Sequence, residues 1–228
     1  MGEYSKFLNR EEAGKFLARK LMEYKNDDSV IILALPRGGV PVGYVIAYAL
    51  HKPLDIYLVK KIGVPGQEEL AMGAVSTSGE VSIDSGIVER LHISDADLNE
   101  LIDFKKAEIK DREQLLRGSK PPLDLSNRTV ILVDDGLATG ATMLTAIRSI
   151  KKLQPAKIIA AIPVASRDAI EMVQGEVDEA ICLLIPDFFY SVSVWYSDFR
   201  QTTDGEVINL LNRSSDLFGD NYKKSVAI

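Results

Sequence analysis

Two adjacent acids at the end of an apolar run, followed by small and hydroxylated residues, are the part of this chain best suited to chemistry. The segment reads Val130, Ile131, Leu132, Val133, Asp134, Asp135, Gly136, Leu137, Ala138, Thr139, Gly140, Ala141, Thr142. Small residues let a ligand approach the backbone, and a helix opening near Gly140 would present free N–H groups and the positive end of its dipole. Thr139 and Thr142 add hydroxyl donors. That combination suits a phosphate monoester. Asp134 and Asp135 would repel a bare phosphate beside them, so they fit a ligand that offers them hydroxyls and carries its phosphate further along. A pentose 5-phosphate has that shape, and the acids can also reach a divalent cation indirectly. The plainer reading is a turn whose acids cap a helix, but a cap needs one acid, not two ahead of Thr-Gly-Ala-Thr.

Rival phosphate motifs fit badly. The chain has no Gly-x-x-x-x-Gly-Lys-Ser/Thr loop, and Asp134-Asp135 lacks the Asp-x-Asp spacing of an aspartyl-phosphate enzyme. A second break, Leu35-Pro36-Arg37-Gly38-Gly39-Val40, also follows an apolar run. Its glycines can free N–H groups to line an anion and Arg37 adds a forked cation, although a tight turn is the bland alternative. Lys60 and Lys61 are expected to end a strand over residues 54–59, where alternation lets at most one of them reach a site. Phe188, Phe189, Tyr190, Trp195, Tyr196 and Phe199 cluster near the end of the chain. A flat ring could stack there, with core packing or a dimer contact as the competing reading.

The elements that would position these residues alternate. Asn9 with Glu12 caps a helix over residues 10–24, and residues 30–35 form a strand buried on both faces. A helical stripe begins at Val42, and residues 54–59 return as a strand, making a right-handed βαβ unit. Residues 72–76 and 81–84 flank Thr77-Ser78-Gly79-Glu80 as a hairpin. Ser94 caps a charged helix over residues 95–116 that carries no chemical signature. Strands at Thr129–Val133, 157–162 and 179–185 then alternate with helices at 140–153 and Arg167–Gln174, and a short helix over 204–211 follows. The expected fold is α/β: a doubly wound, mostly parallel twisted sheet flanked by helices, with a small hairpin hood. A helical insertion at 86–122 lies within one domain spanning 1–228. In such sheets ligands bind at the carboxyl ends of strands.

Bulk properties narrow the class. The 228 residues are 46% hydrophobic and 26% charged, as in an ordinary globular protein, and the net charge of −6 argues against a broad nucleic-acid footprint. The lone cysteine, Cys182, lies in an apolar run and reads as a packed thiol. No apolar stretch nears the ~20 residues of a membrane span. The N-terminus lacks the apolar core of a signal peptide, so no membrane partner and a cytoplasmic location are expected.

Residues 130–142 resemble the signature of type I phosphoribosyltransferases. The likeness runs from the first helix to the Trp195 region, most of all to bacterial and archaeal members known only by family. It implies transfer of ribose 5-phosphate from 5-phosphoribosyl 1-pyrophosphate (PRPP) to a nitrogenous acceptor such as a nucleobase, within nucleotide metabolism, with Mg²⁺ as cofactor and a homo-oligomer, in the simplest case a dimer, as the assembly. Asp134 and Asp135 would hold the ribose hydroxyls, and Gly136, Ala138, Thr139, Gly140, Ala141 and Thr142 the 5-phosphate side. Arg37, Gly38, Gly39, Lys60 and Lys61 would meet pyrophosphate, with Asp134, Asp135, Arg37 and Lys61 as the catalytic set and Phe188 and Phe189 at the acceptor. A mobile loop, either around residues 76–81 or over 112–120, would close the site. Two other functions stay open: a non-catalytic sensor of PRPP or a nucleotide, and a hydrolase or phosphorylase of ribose phosphates. The lack of a helix-turn-helix or excess positive charge favours the transferase over the sensor.

Overall fold

The structure is a computed structural model that describes residues 6–118, 120 and 124–224, with residues 69 and 219–224 by backbone alone. Asn9 opens α1 (Arg10–Lys20) as its spacing predicts, accepting the Glu12 N–H at 3.0 Å. Glu11 and Glu12 lie in the first turn and Arg19 and Lys20 in the last, in keeping with the helix dipole. The helix stops short of residue 24 because the Leu21 N–H is shared between the Leu17 and Ala18 carbonyls at 3.1 and 3.2 Å, tightening the chain into a 3-10 turn over Met22–Asn26. Asn9→Ala should lower the melting temperature by about 2–4 °C, from the ~1 kcal/mol of a lost cap in a chain of this size. A thermal melt checks it.

The chain continues through β1 (Val30–Ala34), α2 (Gly39–Leu50) and β2 (Leu54–Ile56), then β3 (Val59–Val64), β4 (Gln67–Ser76) and β5 (Val81–Ile83). Next come α3 (Ser85–Arg90), α4 (Asp95–Arg117), β6 (Thr129–Val133), α5 (Ala141–Lys151), β7 (Lys157–Val164), α6 (Arg167–Gln174), β8 (Glu179–Leu184) and α7 (Asp204–Lys224). Five strands form a parallel sheet ordered β2-β1-β6-β7-β8, and three form an antiparallel hood ordered β3-β4-β5. Residues along the central strands alternate between two cores. Ile32, Ala34, Ile131 and Val133 pack with α1, α2 and α7 on one face. Leu33, Leu35, Val130 and Leu132 pack with α5 and α6 on the other. That double burial explains the unbroken apolar runs.

Two expectations are corrected. The strand expected over 54–59 splits, because Tyr57 makes a last bond to the Ala34 carbonyl at 3.1 Å and Thr77 then captures Leu58. The Thr77 hydroxyl accepts the Leu58 N–H at 2.7 Å, and the Thr77 N–H donates to the Leu58 carbonyl at 2.9 Å. Lys60 and Lys61 therefore lie in the hood strand β3 rather than at the end of a core strand. The final helix, expected to end near 211, runs to Lys224 because Val207, Leu211 and Ser214 continue one buried stripe through a polar stretch. Of the two segments expected to supply a closing loop, residues 112–117 belong to α4, where the buried Arg117 guanidinium donates to both carboxylate oxygens of Asp55 at 2.9 and 3.0 Å. In the other, the turn near 76–81, hydroxyl bonds link Tyr57, Ser76, Ser78 and Ser149.

Candidate functional site

β1 and β6 are hydrogen-bonded neighbours in register, with Ala34 beside Val133, so the loops leaving them start at the same level. The chain moves from β1 to β2 on one side and from β6 through β7 to β8 on the other. β1 and β6 thus flank the point where strand order reverses, where open parallel sheets bind ligands. The loops touch. A Cβ on Gly38 would stand 2.0 Å from Asp135 Oδ2, and one on Gly39 would stand 2.7 Å from the Val133 carbonyl and 3.0 Å from Asp134 Cα. Only hydrogen at these two positions permits the approach.

Continuing the strand alternation carries Asp135 to the α1 and α2 face. There Arg10 Nε donates to Asp135 Oδ2 at 2.7 Å, with only 11% and 14% of the two side chains exposed. Arg10 is fixed elsewhere too: Nη1 donates to the Arg200 carbonyl at 2.8 Å, and the guanidinium lies 3.9 Å over the Phe199 ring. Pairing of the Phe7 segment with the Tyr196 segment brings the start of α1 to this place. The Tyr196 hydroxyl donates to the Asp135 carbonyl at 2.6 Å. Burial and the Asp135 charge push the Tyr196 pKa far up, so the ring keeps that proton. Sequence reasoning missed Arg10, and for Tyr196 it offered stacking, core packing or a dimer contact rather than a bond to the acidic loop. A signal for Arg10 existed: a cation in the first turn of a helix opposes the dipole and implies another duty.

Asp134 Oδ1 accepts the Asp135 N–H at 2.8 Å. Burial, then the neighbouring Asp135 charge, raises the Asp134 pKa well above the ordinary carboxylate value. Burial also raises that of Asp135, against the pull of Arg10. A raised folded-state pKa means stability that is full below the unfolded value near 3.8 and is lost as pH rises through the folded value. Asp134→Asn keeps the oxygen that accepts the Asp135 N–H and removes this cost. It should therefore melt higher than the parent at pH 7, by about 2–4 °C per kcal/mol relieved, with the gap closing as pH falls toward 4. Paired melts across that range check the sign.

Past the acids, Leu137 pairs with Ala165, and the Ser166 hydroxyl donates to the Ala138 carbonyl at 2.7 Å, tying the loop to the end of β7. Gly140 sits at φ 72°, a left-handed conformation that suits glycine, and opens α5. No side-chain cap bond is made at Gly140; the Thr139 hydroxyl lies 3.4 Å from the Ala141 N–H. Ala138, Thr139, Ala141 and Thr142 are exposed, so solvent reaches this helix start. An anion accepted there would meet N–H donors and a favourable dipole.

The first loop is arranged differently from expectation. The Gly39 N–H donates to the Leu35 carbonyl at 3.0 Å and the Val40 N–H to the Arg37 carbonyl at 3.2 Å, so these amides are committed within the turn. The glycines serve close approach first. Arg37 Nη1 points to Asp204 Oδ1 at 3.6 Å. Lys60 pairs with Glu108 at 3.4 Å, and Lys61 is exposed on the other face of β3. Phe189 packs beside Phe7, Val164 and Tyr196, whereas Phe188 is 92% exposed. Cys182 is half-buried, its pKa pushed up to about 11 by burial, as befits an unreactive thiol.

Comparison with known proteins accords with this geometry. A sequence model described as phosphoribosyl transferase domain matches residues 2–200. The chain is 35% identical over 208 residues to a Mycobacterium tuberculosis protein named "Putative phosphoribosyl transferase", covering 91% of this chain and 47% of that protein. It thus spans about half the length of the curated relatives it matches. Over 55 residues it is 46% identical to the uracil phosphoribosyltransferase of Mycoplasma genitalium, 24% of this chain and 27% of that one. The crystal structure of TT1426 from Thermus thermophilus superposes with a TM-score of 0.80 at 33% identity, covering 91% of this chain and 98% of that one. With the domain matched over 2–200, and its paired loops meeting at the point where the sheet reverses, the chain belongs to the phosphoribosyl transferase domain family.

Proposed function

We propose that the chain transfers ribose 5-phosphate from PRPP to a nitrogenous acceptor, a nucleobase by preference, releasing pyrophosphate. The observation that carries this reading is the contact of the two loops, in which the Asp135 carboxylate lies against Gly38. A ligand spanning that contact meets acids in its middle, an open helix start at one end and an arginine-bearing loop at the other. In PRPP the ribose hydroxyls would donate to the carboxylates of Asp134 and Asp135, the 5-phosphate would sit on the Thr139–Thr142 turn, and the pyrophosphate would face Arg37. In the reaction the bond from C1 to the pyrophosphate oxygen breaks and its electron pair leaves with pyrophosphate. The acceptor nitrogen then forms the new bond to C1 and gives up a proton.

The protein's part is to orient the ribose and offset the charge of the leaving group. Mg²⁺ fits the donors present when it is carried on substrate oxygens. No cluster of three or more metal-ligating side chains lies among the described residues, whereas Asp134 and Asp135 can reach such an ion through water. Bound there, it would neutralise pyrophosphate oxygens. Phe188, exposed beside β8, offers a ring face to a flat acceptor.

The test is a screen of purines, pyrimidines and other amines with PRPP and Mg²⁺, following pyrophosphate release. Turnover on one class of acceptor supports the reading. Tight PRPP binding without turnover on any acceptor would replace it with a non-catalytic ligand-binding role.

A further inference from the structure

Two guanidinium groups from distant parts of the chain converge on one carboxylate beside the first loop. Arg112, on α4, donates from its two terminal nitrogens to Asp204 Oδ2 and Oδ1 at 2.6 and 2.5 Å. Arg37 Nη1 stands 3.6 Å from the same Oδ1. Asp204 is the first residue of α7. The side chains of Arg37, Asp204 and Arg112 remain 36%, 34% and 28% exposed, so the group is open to a solute. The Arg112 fork would address phosphate oxygens as readily as it addresses this carboxylate. The Arg37 contact is too long for a hydrogen bond and is the easier of the two to exchange.

Charge favours the exchange. Asp204 offers one negative charge to two cations, whereas pyrophosphate brings several charges and more acceptor oxygens. The plainer reading is a strap between α4 and α7, which the bidentate Arg112–Asp204 geometry suits. A strap alone does not require the loop arginine to turn toward the same oxygen. We propose that Arg112 joins Arg37 in a two-guanidinium clamp for pyrophosphate, and that the Asp204 carboxylate competes with pyrophosphate for both. This rests on the reading of residues 36–39 as the pyrophosphate loop.

The test is calorimetric titration of the full chain with inorganic pyrophosphate in Mg²⁺, for the parent, Arg37→Gln, Arg112→Gln and Asp204→Asn, each with a thermal melt. Arg112→Gln should lose about tenfold or more in affinity, the scale of one charge-assisted bond. Asp204→Asn should gain affinity, and Arg112→Lys, which keeps the charge without the fork, should fall between parent and Arg112→Gln. Parent-like binding by Arg112→Gln, with Arg37→Gln impaired, would remove the clamp and leave the loop reading intact. Loss of affinity in Asp204→Asn would make the carboxylate a structural anchor and overturn the competition. No loss in Arg37→Gln would sink the loop reading itself.

Discussion

Asp135→Ala should abolish PRPP binding while leaving the fold in place. The substitution deletes a carboxylate that the ligand's hydroxyls would engage, and bonds to a charged group contribute about 1.5–3 kcal/mol each. Two such bonds correspond to a loss on the order of a hundredfold to ten-thousandfold. The fold should survive because Arg10, though it loses its partner, keeps the Arg200 carbonyl and the Phe199 ring. The Tyr196 bond goes to the Asp135 backbone carbonyl, which alanine retains. Titration with PRPP and Mg²⁺, beside a melt and a circular dichroism spectrum, checks both halves. Unchanged affinity would remove Asp135 from the site.

Gly38→Ala and Gly39→Ala should fail in different ways although they are neighbours. A methyl at Gly38 would overlap the Asp135 carboxyl, with 2.0 Å to Oδ2 and 2.5 Å to Cγ. A side chain can swing aside, so the fold should persist, but the carboxylate would leave its place and its Arg10 bond. Gly38→Ala should therefore reproduce most of the binding defect of Asp135→Ala, and add little on top of it in the double variant, because both act through the same carboxylate. A methyl at Gly39 instead meets backbone, the Val133 carbonyl at 2.7 Å and Asp134 Cα at 3.0 Å. Backbone at the end of a central strand has nowhere to go, so this variant should lose stability by the ~1–3 kcal/mol of overpacking or more, with a melting temperature lower by several degrees. Equal melts for the two variants, or additive binding losses for Gly38→Ala and Asp135→Ala, would contradict the arrangement.

The reach of the sequence follows from which forces are local. The central strands were legible because burial on both faces leaves continuous apolar runs, and the caps at Asn9 and Ser94 because their bonds close within three residues. The acidic loop was legible as a loop for a related reason: its acids and small residues lie within one short segment at a strand end. Long-range bonds left no such trace. Thr77 captures Leu58 across 19 residues and diverts the chain into the hood, which moved Lys60 and Lys61 away from the expected strand end. Arg112 and Asp204 are 92 residues apart, and nothing in a charged amphipathic helix marks which of its cations has a distant partner. Phe188 and Phe189 look alike in sequence; only the packing of Phe189 beside Phe7 and Tyr196 separates them.

The most direct measurement is a crystal structure of the chain with PRPP and Mg²⁺. The expected density places the ribose hydroxyls on the carboxylates of Asp134 and Asp135, with the 5-phosphate on the amides that open α5. Density for the sugar elsewhere, or a phosphate held away from Thr139, Gly140 and Ala141, would contradict the assignment of the crevice between β1 and β6.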